Sequence, residues 1–339
     1  MVRRRRPLKS GKVWESFYYC GRDEDGKRVE IPLGQDLGAA KKRWAELECS
    51  ILPANQDVMS PVFDRYIKEI IPTKAPRTQR DNFFCLKFLR LVFDKAPIDK
   101  ITPQHIAQYR DQRGKKAPVR ANREIALFSH IWNIAREWGL TDKENPVRGV
   151  RKNKEKPREF YADDEVWTAV YSMACQELKD AMDLAYLTGQ RPADVLKMRL
   201  TDIKDGALEV RQNKTGKRLR ILLQSEDGTP TRLGELVDRV RNQKRKVSTL
   251  FLVTTPAGIC LNHGTLRLRF DKARENAIKT NEGNPELVAR IKEFQFRDIR
   301  PKAASETDLA HASKLLGHTR SQITETVYRR VGEVVRPTR

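Results

Sequence analysis

The stretch LTGQRPADVL, residues 187–196, contains the signals from which the prediction of this fold starts. Gly189 is expected to end one helix and Pro192 to begin the next, because glycine favours the position after a helix and proline its first turn. Arg191 would then project from a tight junction near a helix N-terminus, where Asp194 could reach back to hold it. Taken alone, this pattern is more often a surface arginine in an ordinary helix turn.

A β-hairpin is predicted downstream of this junction. Residues 208–212 and 218–223 are expected to be strands around a turn at residues 213–217. This turn places Lys214 at a hairpin tip, from which a lysine can reach into a groove, although such a lysine is usually just solvated. The rest of the chain from Asp163 onward is predicted to be mostly helical.

Further residues capable of chemistry lie near the C-terminus: RDIR at 297–300, LLGH at 315–318, and Tyr328. Gly317 is typical of a helix C-cap, which would leave His318 free to point into a site. A lone histidine or tyrosine here would more often be structural. The unusual feature is the combination of these residue types, in this order along the chain.

In this order the motifs resemble the tyrosine site-specific recombinase (phage integrase) family. That family has an arginine box, a hairpin lysine, a His-x-x-Arg box, a Gly-His box and a nucleophilic tyrosine. The matching segments are LTGQRPADVLKMRLTDI at 187–203, NKTGKRLRI at 213–221, RDIR at 297–300, LLGH at 315–318, and Tyr328. Each motif is weak alone, whereas five in order are specific.

The resemblance implies a role for each matching residue. Tyr328 would attack phosphorus as the nucleophile and form a covalent 3′-phosphotyrosyl link. Arg191 and Arg300 would stabilise the phosphate in the transition state, Lys214 would act as the general acid, and His318 would be a further donor. Because the covalent link conserves the phosphoester, neither a cofactor nor a metal is expected. Cys260 and His263 have metal-like spacing, but no second pair completes a site.

One position departs from the family. The first residue of the His-x-x-Arg box is usually histidine, sometimes lysine, and here it is Arg297. Arginine keeps its proton and therefore cannot be a base. Either the substitution disables the site, or the position serves as a hydrogen-bond donor that arginine can replace. We favour the donor, since the rest of the set is present.

The expected fold is mainly α with small β elements, in three domains. Residues 1–55 would form a basic arm-type DNA-binding module, a β-sheet plus a helix. Residues 56–150 would form a helical core-site DNA-binding domain. Residues 151–339 would form the catalytic domain, a mixed α/β but mostly α structure.

Local signals support the first two domains. Residues 12–34 are typical of a hairpin turning at Asp25-Gly26, and Asp36 is expected to cap a helix over 39–52. Ser60-Pro61 and Thr102-Pro103 are each expected to place a cap residue before a proline at the first helical position. Four or five helices are predicted here. Basic residues near their starts suit phosphate contacts or, equally, a solvated face: Arg77, Arg80, Lys115, Lys116, Arg120 and Arg123.

Composition agrees with a nucleic-acid partner. The 339 residues carry 67 Lys and Arg against 45 Asp and Glu, a net charge of +22, which favours polyanions. The five cysteines are scattered, as is typical of reduced thiols. No apolar run suits a membrane span or a signal peptide. The resemblance implies a location on DNA in the cytoplasm of a bacterial host.

The resemblance also implies partners and an activity. Expected partners are double-stranded DNA attachment sites, other copies of the chain in a tetramer on DNA, and DNA-bending accessory proteins; the activity would be integration and excision of a viral or other mobile element. A type IB topoisomerase-like relaxation is an alternative, against which the arm-like module argues. A catalytically inactive DNA-binding regulator is another, against which the complete set of chemical residues argues.

Overall fold

A computed structural model describes residues 1–8, 11, 13–22, 27–50, 58–244, 246–247 and 249–331. The chain divides into two compact units, Met1–Lys156 and Pro157–Arg339. Both are built mainly of helices, and each contains a small antiparallel three-stranded sheet. The predicted fold class is confirmed.

The N-terminal sheet has the order β1 (Val2–Pro7), β2 (Val13–Arg22) and β3 (Arg28–Gly34). The predicted hairpin corresponds to β2 and β3, and its turn at residues 25–26 lies outside the described residues. Strand β1 was not predicted, because its run of arginines has no apolar alternation. Its backbone pairs with β2, and two of its arginines form ion pairs with Glu15.

Helix α1 (Leu37–Ser50) follows the sheet, and four more helices of this unit come after it. As predicted, Asp36 caps α1 by accepting a hydrogen bond from the backbone N–H of Ala39 at 2.6 Å. The small core beneath the sheet includes Phe17 and Leu33. The next helices are α2 (Met59–Glu69), α3 (Pro76–Phe93), α4 (Pro103–Gly114) and α5 (Pro118–Glu137).

The two predicted serine and threonine caps have different outcomes. Thr102 is the N-cap of α4, directly before Pro103, as predicted. Ser60 is not a cap, because α2 already begins at Met59. The backbone N–H groups of Met59 and Ser60 bond to the carbonyls of Ala96 and Asp94, so tertiary contacts satisfy the donors that a cap would have satisfied.

The second unit packs helices around one large apolar cluster that runs from Ala162 to Ile299. Asp163 caps its first helix by accepting a hydrogen bond from the backbone N–H of Val166 at 3.0 Å. The predicted hairpin is present as β5 and β6, and a short β4 adds a third strand. The strands are β4 (Ile203–Lys204), β5 (Ala207–Arg211) and β6 (Arg218–Leu222). The helices are α6 (Asp164–Ser172), α7 (Gln176–Thr188), α8 (Pro192–Val195), α9 (Arg232–Asn242), α10 (His263–Thr280), α11 (Pro285–Glu293), α12 (Ile299–Ser305), α13 (Leu309–Leu316) and α14 (Ser321–Ile323).

A π-helical turn, Thr324–Tyr328, closes the described helical structure. Of the helices in the described part of the chain, none combines the length and apolar character needed to cross a bilayer.

Candidate active site

The junction between α7 and α8 carries Arg191, as predicted. Gly189 ends α7 with φ of 61°, and Arg191 is the N-cap of α8, which starts at Pro192. Asp194 does not hold Arg191, which corrects the sequence-based expectation. It accepts instead from the backbone N–H of Asn213 at 2.9 Å and so holds the hairpin.

Arg300 lies at the start of α12 and joins three motifs. Its side chain is buried, with 3% of the residue exposed. One Nη donates to the carbonyl of Gly189 at 2.5 Å, and the other donates to the carbonyl of Leu316 at 2.8 Å. The forked guanidinium bonds the two carbonyls from separate Nη atoms and keeps further donors. Its buried Nε has no partner in the described part of the chain.

Arg191 and Arg300 concentrate positive charge in this site. Burial, followed by the charge of Arg191, lowers the pKa of Arg300 to about 10, and Tyr328 opposes this shift. Arg300 therefore remains protonated at neutral pH. Within the described residues, neither guanidinium forms an ion pair with a carboxylate. Two adjacent cations without a bonded carboxylate suit an anionic ligand such as a phosphate.

His318 contacts both Arg300 and the π-helical turn. Gly317 ends α13 with φ of 70°, which confirms the predicted C-cap. The Nδ1 atom of His318 lies 2.8 Å from Oγ1 of Thr324, and its Nε2 lies 3.3 Å from Nη2 of Arg300. Because a guanidinium can only donate, Nε2 accepts, and Nδ1 carries the proton that is donated to Thr324.

His318 is neutral in this environment. Burial lowers its pKa to about 4, with further lowering by the charges of Arg300, Arg191 and Lys217. A neutral imidazole has one nitrogen lone pair that can accept a proton. At physiological pH the site therefore combines two cationic guanidinium groups with an uncharged imidazole, whose lone pair accepts from Arg300.

Tyr328 lies at the end of the π-helical turn, beside these groups. Its ring centroid is 4.9 Å from that of His318, and the Cζ atom of Arg300 lies 5.1 Å from it. The chain after Tyr328 is anchored to the same unit, since Nη1 of Arg330 donates to the buried carboxylate of Asp298 at 2.9 Å. This anchor limits how far the tyrosine can move.

Lys214 and Arg297 are placed differently from the other four predicted residues. Both side chains are exposed. Neither forms a hydrogen bond or an ion pair with any residue that the structure describes. The structure therefore brings together Arg191, Arg300, His318 and Tyr328, and it leaves the roles of Lys214 and Arg297 as predictions.

Sequence reasoning missed three polar residues that support the site. Gln190 and Gln212 are each 1% exposed and contact the motif backbones, and Thr324 is fully buried beneath His318. The only signal was their position beside motif residues. A glutamine next to a motif is usually solvated, so that signal was too weak to single them out.

The protonation of His318 can be tested directly. In the free protein, its imidazole is expected to stay neutral from pH 8 down to about pH 5, because its folded pKa of about 4 lies below the ordinary value of 6.5. Nitrogen chemical shifts followed by NMR across this range would show it. The His318→Gln variant would identify the signal, and titration near pH 6.5 would contradict the burial described above.

Comparisons of the sequence with known proteins bear on the family of this chain. The sequence model of the phage integrase family matches residues 163–333. The integrase of Escherichia phage lambda is 27% identical, and the match covers 89% of this chain and 87% of that protein. The integrase of Enterobacteria phage 434 is 28% identical over the same shares of the two chains.

Solved structures show the same fold. A lambda integrase tetramer bound to a Holliday junction matches with a TM-score of 0.67 and 23% identity, covering 94% of this chain and 95% of that chain. A lambda integrase dimer bound to a COC′ core site matches with a TM-score of 0.67 and 22% identity, covering 99% of this chain and 97% of that chain. Family match, fold and motif order agree, and the chain belongs to the phage integrase family of tyrosine recombinases.

Proposed function

We propose that this site-specific DNA recombinase cuts and rejoins DNA through a transient 3′-phosphotyrosyl link to Tyr328, in the integration and excision of a mobile element. One observation carries the proposal. Two guanidinium groups without a bonded carboxylate, those of Arg191 and Arg300, lie beside a neutral His318 and the phenol of Tyr328. This arrangement suits a phosphodiester bound by the two arginines beside a tyrosine that attacks it.

The two arginines neutralise the charge that builds up in the transition state. A phosphodiester resists attack because its non-bridging oxygens are already anionic. Positioned donors in a partly desolvated site stabilise the additional charge, and forked guanidinium groups suit two oxygens at once. Arg300, only 3% exposed, supplies the desolvated guanidinium, and the partly exposed Arg191 at the α8 N-terminus supplies a second guanidinium.

The nucleophile needs help to ionise. A free phenol has a pKa near 10, so only about 0.1% is ionised at pH 7, and forming the phenolate costs roughly 4 kcal/mol. The phenolic proton leaves to water, to a phosphate oxygen or to His318, because Arg297 cannot accept one.

The bonds to phosphorus that form and break in the proposed cleavage step all belong to the protein and the DNA. A bond forms between the Tyr328 oxygen and phosphorus, and the bond from phosphorus to the 5′-oxygen breaks. Lys214 gives its proton to the leaving 5′-oxygen. In the second step a 5′-hydroxyl attacks phosphorus and releases the tyrosine, so the phosphoester is conserved and no nucleotide is consumed.

The proposed partners follow from charge and from relatives. The substrate is a pair of double-stranded attachment sites, for which the net charge of +22 is suited. The lambda integrase structures contain a dimer on a core site and a tetramer on a Holliday junction. We propose the same tetrameric assembly on DNA for this chain, with DNA-bending accessory proteins, in the bacterial cytoplasm.

A nicked suicide substrate tests the proposed chemistry. After cleavage the short fragment that carries the new 5′-hydroxyl diffuses away, so the covalent protein–DNA complex accumulates and can be seen on a denaturing gel. Strand exchange between two distinguishable duplexes then separates a recombinase from a topoisomerase. DNA binding with no covalent complex under any condition would instead indicate a DNA-binding regulator.

Arg297 is expected to matter as a hydrogen-bond donor once DNA is bound, although it is exposed in the free protein. Losing one well-placed donor costs about 10²–10³ in rate, so Arg297→Ala should cleave a suicide substrate that much more slowly. Arg297→Lys should keep part of the activity, and Arg297→His should show a rate that changes around pH 6–7. Single-turnover rates across pH would measure this, and wild-type rates for Arg297→Ala would place the residue outside the site.

The N-terminal module is expected to serve integration and not cleavage. Its sheet and helix α1 enclose an apolar cluster of their own, which supports a separate role. Deleting residues 1–55 should leave cleavage of a core site intact while weakening integrative recombination. Normal integration by the truncated protein would refute the arm-binding role. Cleavage of the core site by the same preparation is the control for folding.

A further inference from the structure

Gln212 contacts three motifs of the site with one side chain. It is 1% exposed. Its Oε1 accepts from Oγ1 of Thr215 at 2.7 Å and from Nη1 of Arg191 at 3.4 Å. Its Nε2 donates to the carbonyl of Leu316 at 2.9 Å and to Oε1 of Gln190 at 2.8 Å. The side chain therefore joins the hairpin turn, the arginine junction and the Gly-His box.

The backbone of Gln212 also closes the turn that carries Lys214. Its N–H donates to the carbonyl of Lys217 at 2.9 Å, and its carbonyl accepts from the N–H of Gly216 at 2.9 Å. The next residue, Asn213, is held through its backbone N–H by Asp194. The turn is thus attached to the rest of the unit at two consecutive residues.

Lys214 itself has no such attachment. Its side chain is exposed and forms no hydrogen bond or ion pair with any residue in the described ranges. Where its ammonium lies therefore depends on where the turn is held. Only a side chain with both a donor and an acceptor can make the contacts at position 212, and the packing is close, since a Cβ added at Gly317 would lie 2.8 Å from Nε2 of Gln212.

We propose that Gln212 is a positioning residue, which holds the Lys214 turn against Arg191 and the Gly-His box so that Lys214 reaches the leaving 5′-oxygen. The inference rests on the proposed function, in which Lys214 is the general acid. The carbonyl oxygen of Leu316 accepts from both Gln212 and Arg300. The same backbone atom therefore helps to fix the position of the Lys214 turn and that of the phosphate-binding arginine.

A sulfur leaving group distinguishes this role from a general loss of structure. If sulfur replaces the bridging 5′-oxygen at the scissile phosphate, it leaves as a thiolate without a proton, because a thiol has a pKa of about 8.5. Gln212→Leu should bind DNA within about twofold of wild type and cleave ordinary DNA roughly 10²-fold more slowly, at the lower end of general-acid effects. On the sulfur substrate it should cleave at close to the wild-type rate.

Two further variants keep the test decisive. Lys214→Ala should show the same rescue by sulfur, and Arg300→Lys should show none, since its defect lies in phosphate stabilisation. If Lys214→Ala is rescued and Gln212→Leu is not, the positioning role is wrong while the proposed function stands. If neither is rescued, the acid assignment fails and the positioning role fails with it.

A milder variant covers the case in which Gln212→Leu does not fold. Thr215→Val removes one hydroxyl from an exposed turn position and with it the bond to Oε1 of Gln212. It should show a smaller cleavage defect, a few fold, that disappears on the sulfur substrate. An unrescued defect in Thr215→Val would overturn the proposal.

Discussion

Tyr328→Phe is expected to bind duplex DNA as well as the wild-type protein and to form no covalent complex with a nicked suicide substrate. The substitution removes a single oxygen, the atom that would bond to phosphorus. The ring keeps its packing against His318 and Arg300, so the fold should be unaffected. Binding by gel shift and covalent capture on a denaturing gel would be measured on the same preparation.

Tyr186→Phe is the matched control for this loss. Tyr186 also lies in the second unit, and its hydroxyl donates to Glu306 instead of contacting the arginines. It should cleave at close to the wild-type rate. A covalent complex that persists in Tyr328→Phe and disappears in Tyr186→Phe would show that the nucleophile has been assigned to the wrong tyrosine.

Arg300→Lys is expected to lower the single-turnover cleavage rate by at least about 10²–10³-fold. A lysine presents one point charge, whereas the guanidinium bonds the carbonyls of Gly189 and Leu316 while facing the site. Stability should fall as well, because leaving a buried carbonyl without its partner costs about 1–3 kcal/mol. Chemical denaturation measures that loss separately from the cleavage rate.

Arg191→Lys serves as the comparison for the effect on stability. Arg191 is partly exposed, and its side chain bonds only to Gln212, at 3.4 Å, within the described part of the chain. The Arg191→Lys variant should therefore cleave more slowly without a comparable loss of stability. If Arg300→Lys cleaves at the wild-type rate, the buried arginine is structural and phosphate stabilisation must come from elsewhere.

Several features of the site were predictable because they depend on the local backbone. A left-handed residue is needed to end a helix tightly, and glycine adopts that conformation at little cost, so Gly189 and Gly317 mark the ends of α7 and α13. Proline after Thr102 marked a helix start for a similar reason. The order of the motifs then indicated the family, although no single motif was specific.

Other features depend on partners far away in sequence. The arginine-rich strand β1 forms because it pairs with β2, and Ser60 is not a cap because the carbonyls of Asp94 and Ala96 already satisfy the helix start. Asp194 holds the backbone of Asn213 instead of the nearby arginine. For Ser60 and Asp194, long-range hydrogen bonds replaced the local ones that the sequence pattern suggested.

Motif order and net charge follow from the amino-acid sequence alone. So do the ends of α7 and α13, because each depends on the intrinsic preference of one glycine. The protonation of His318 and the environment of Arg300 do not. They arise because packing buries α12, the α7–α8 junction and the Gly-His box together. Burial with few carboxylates nearby then leaves the arginines as the charged groups of the site and His318 neutral. Which polar groups share that space is a property of the tertiary structure.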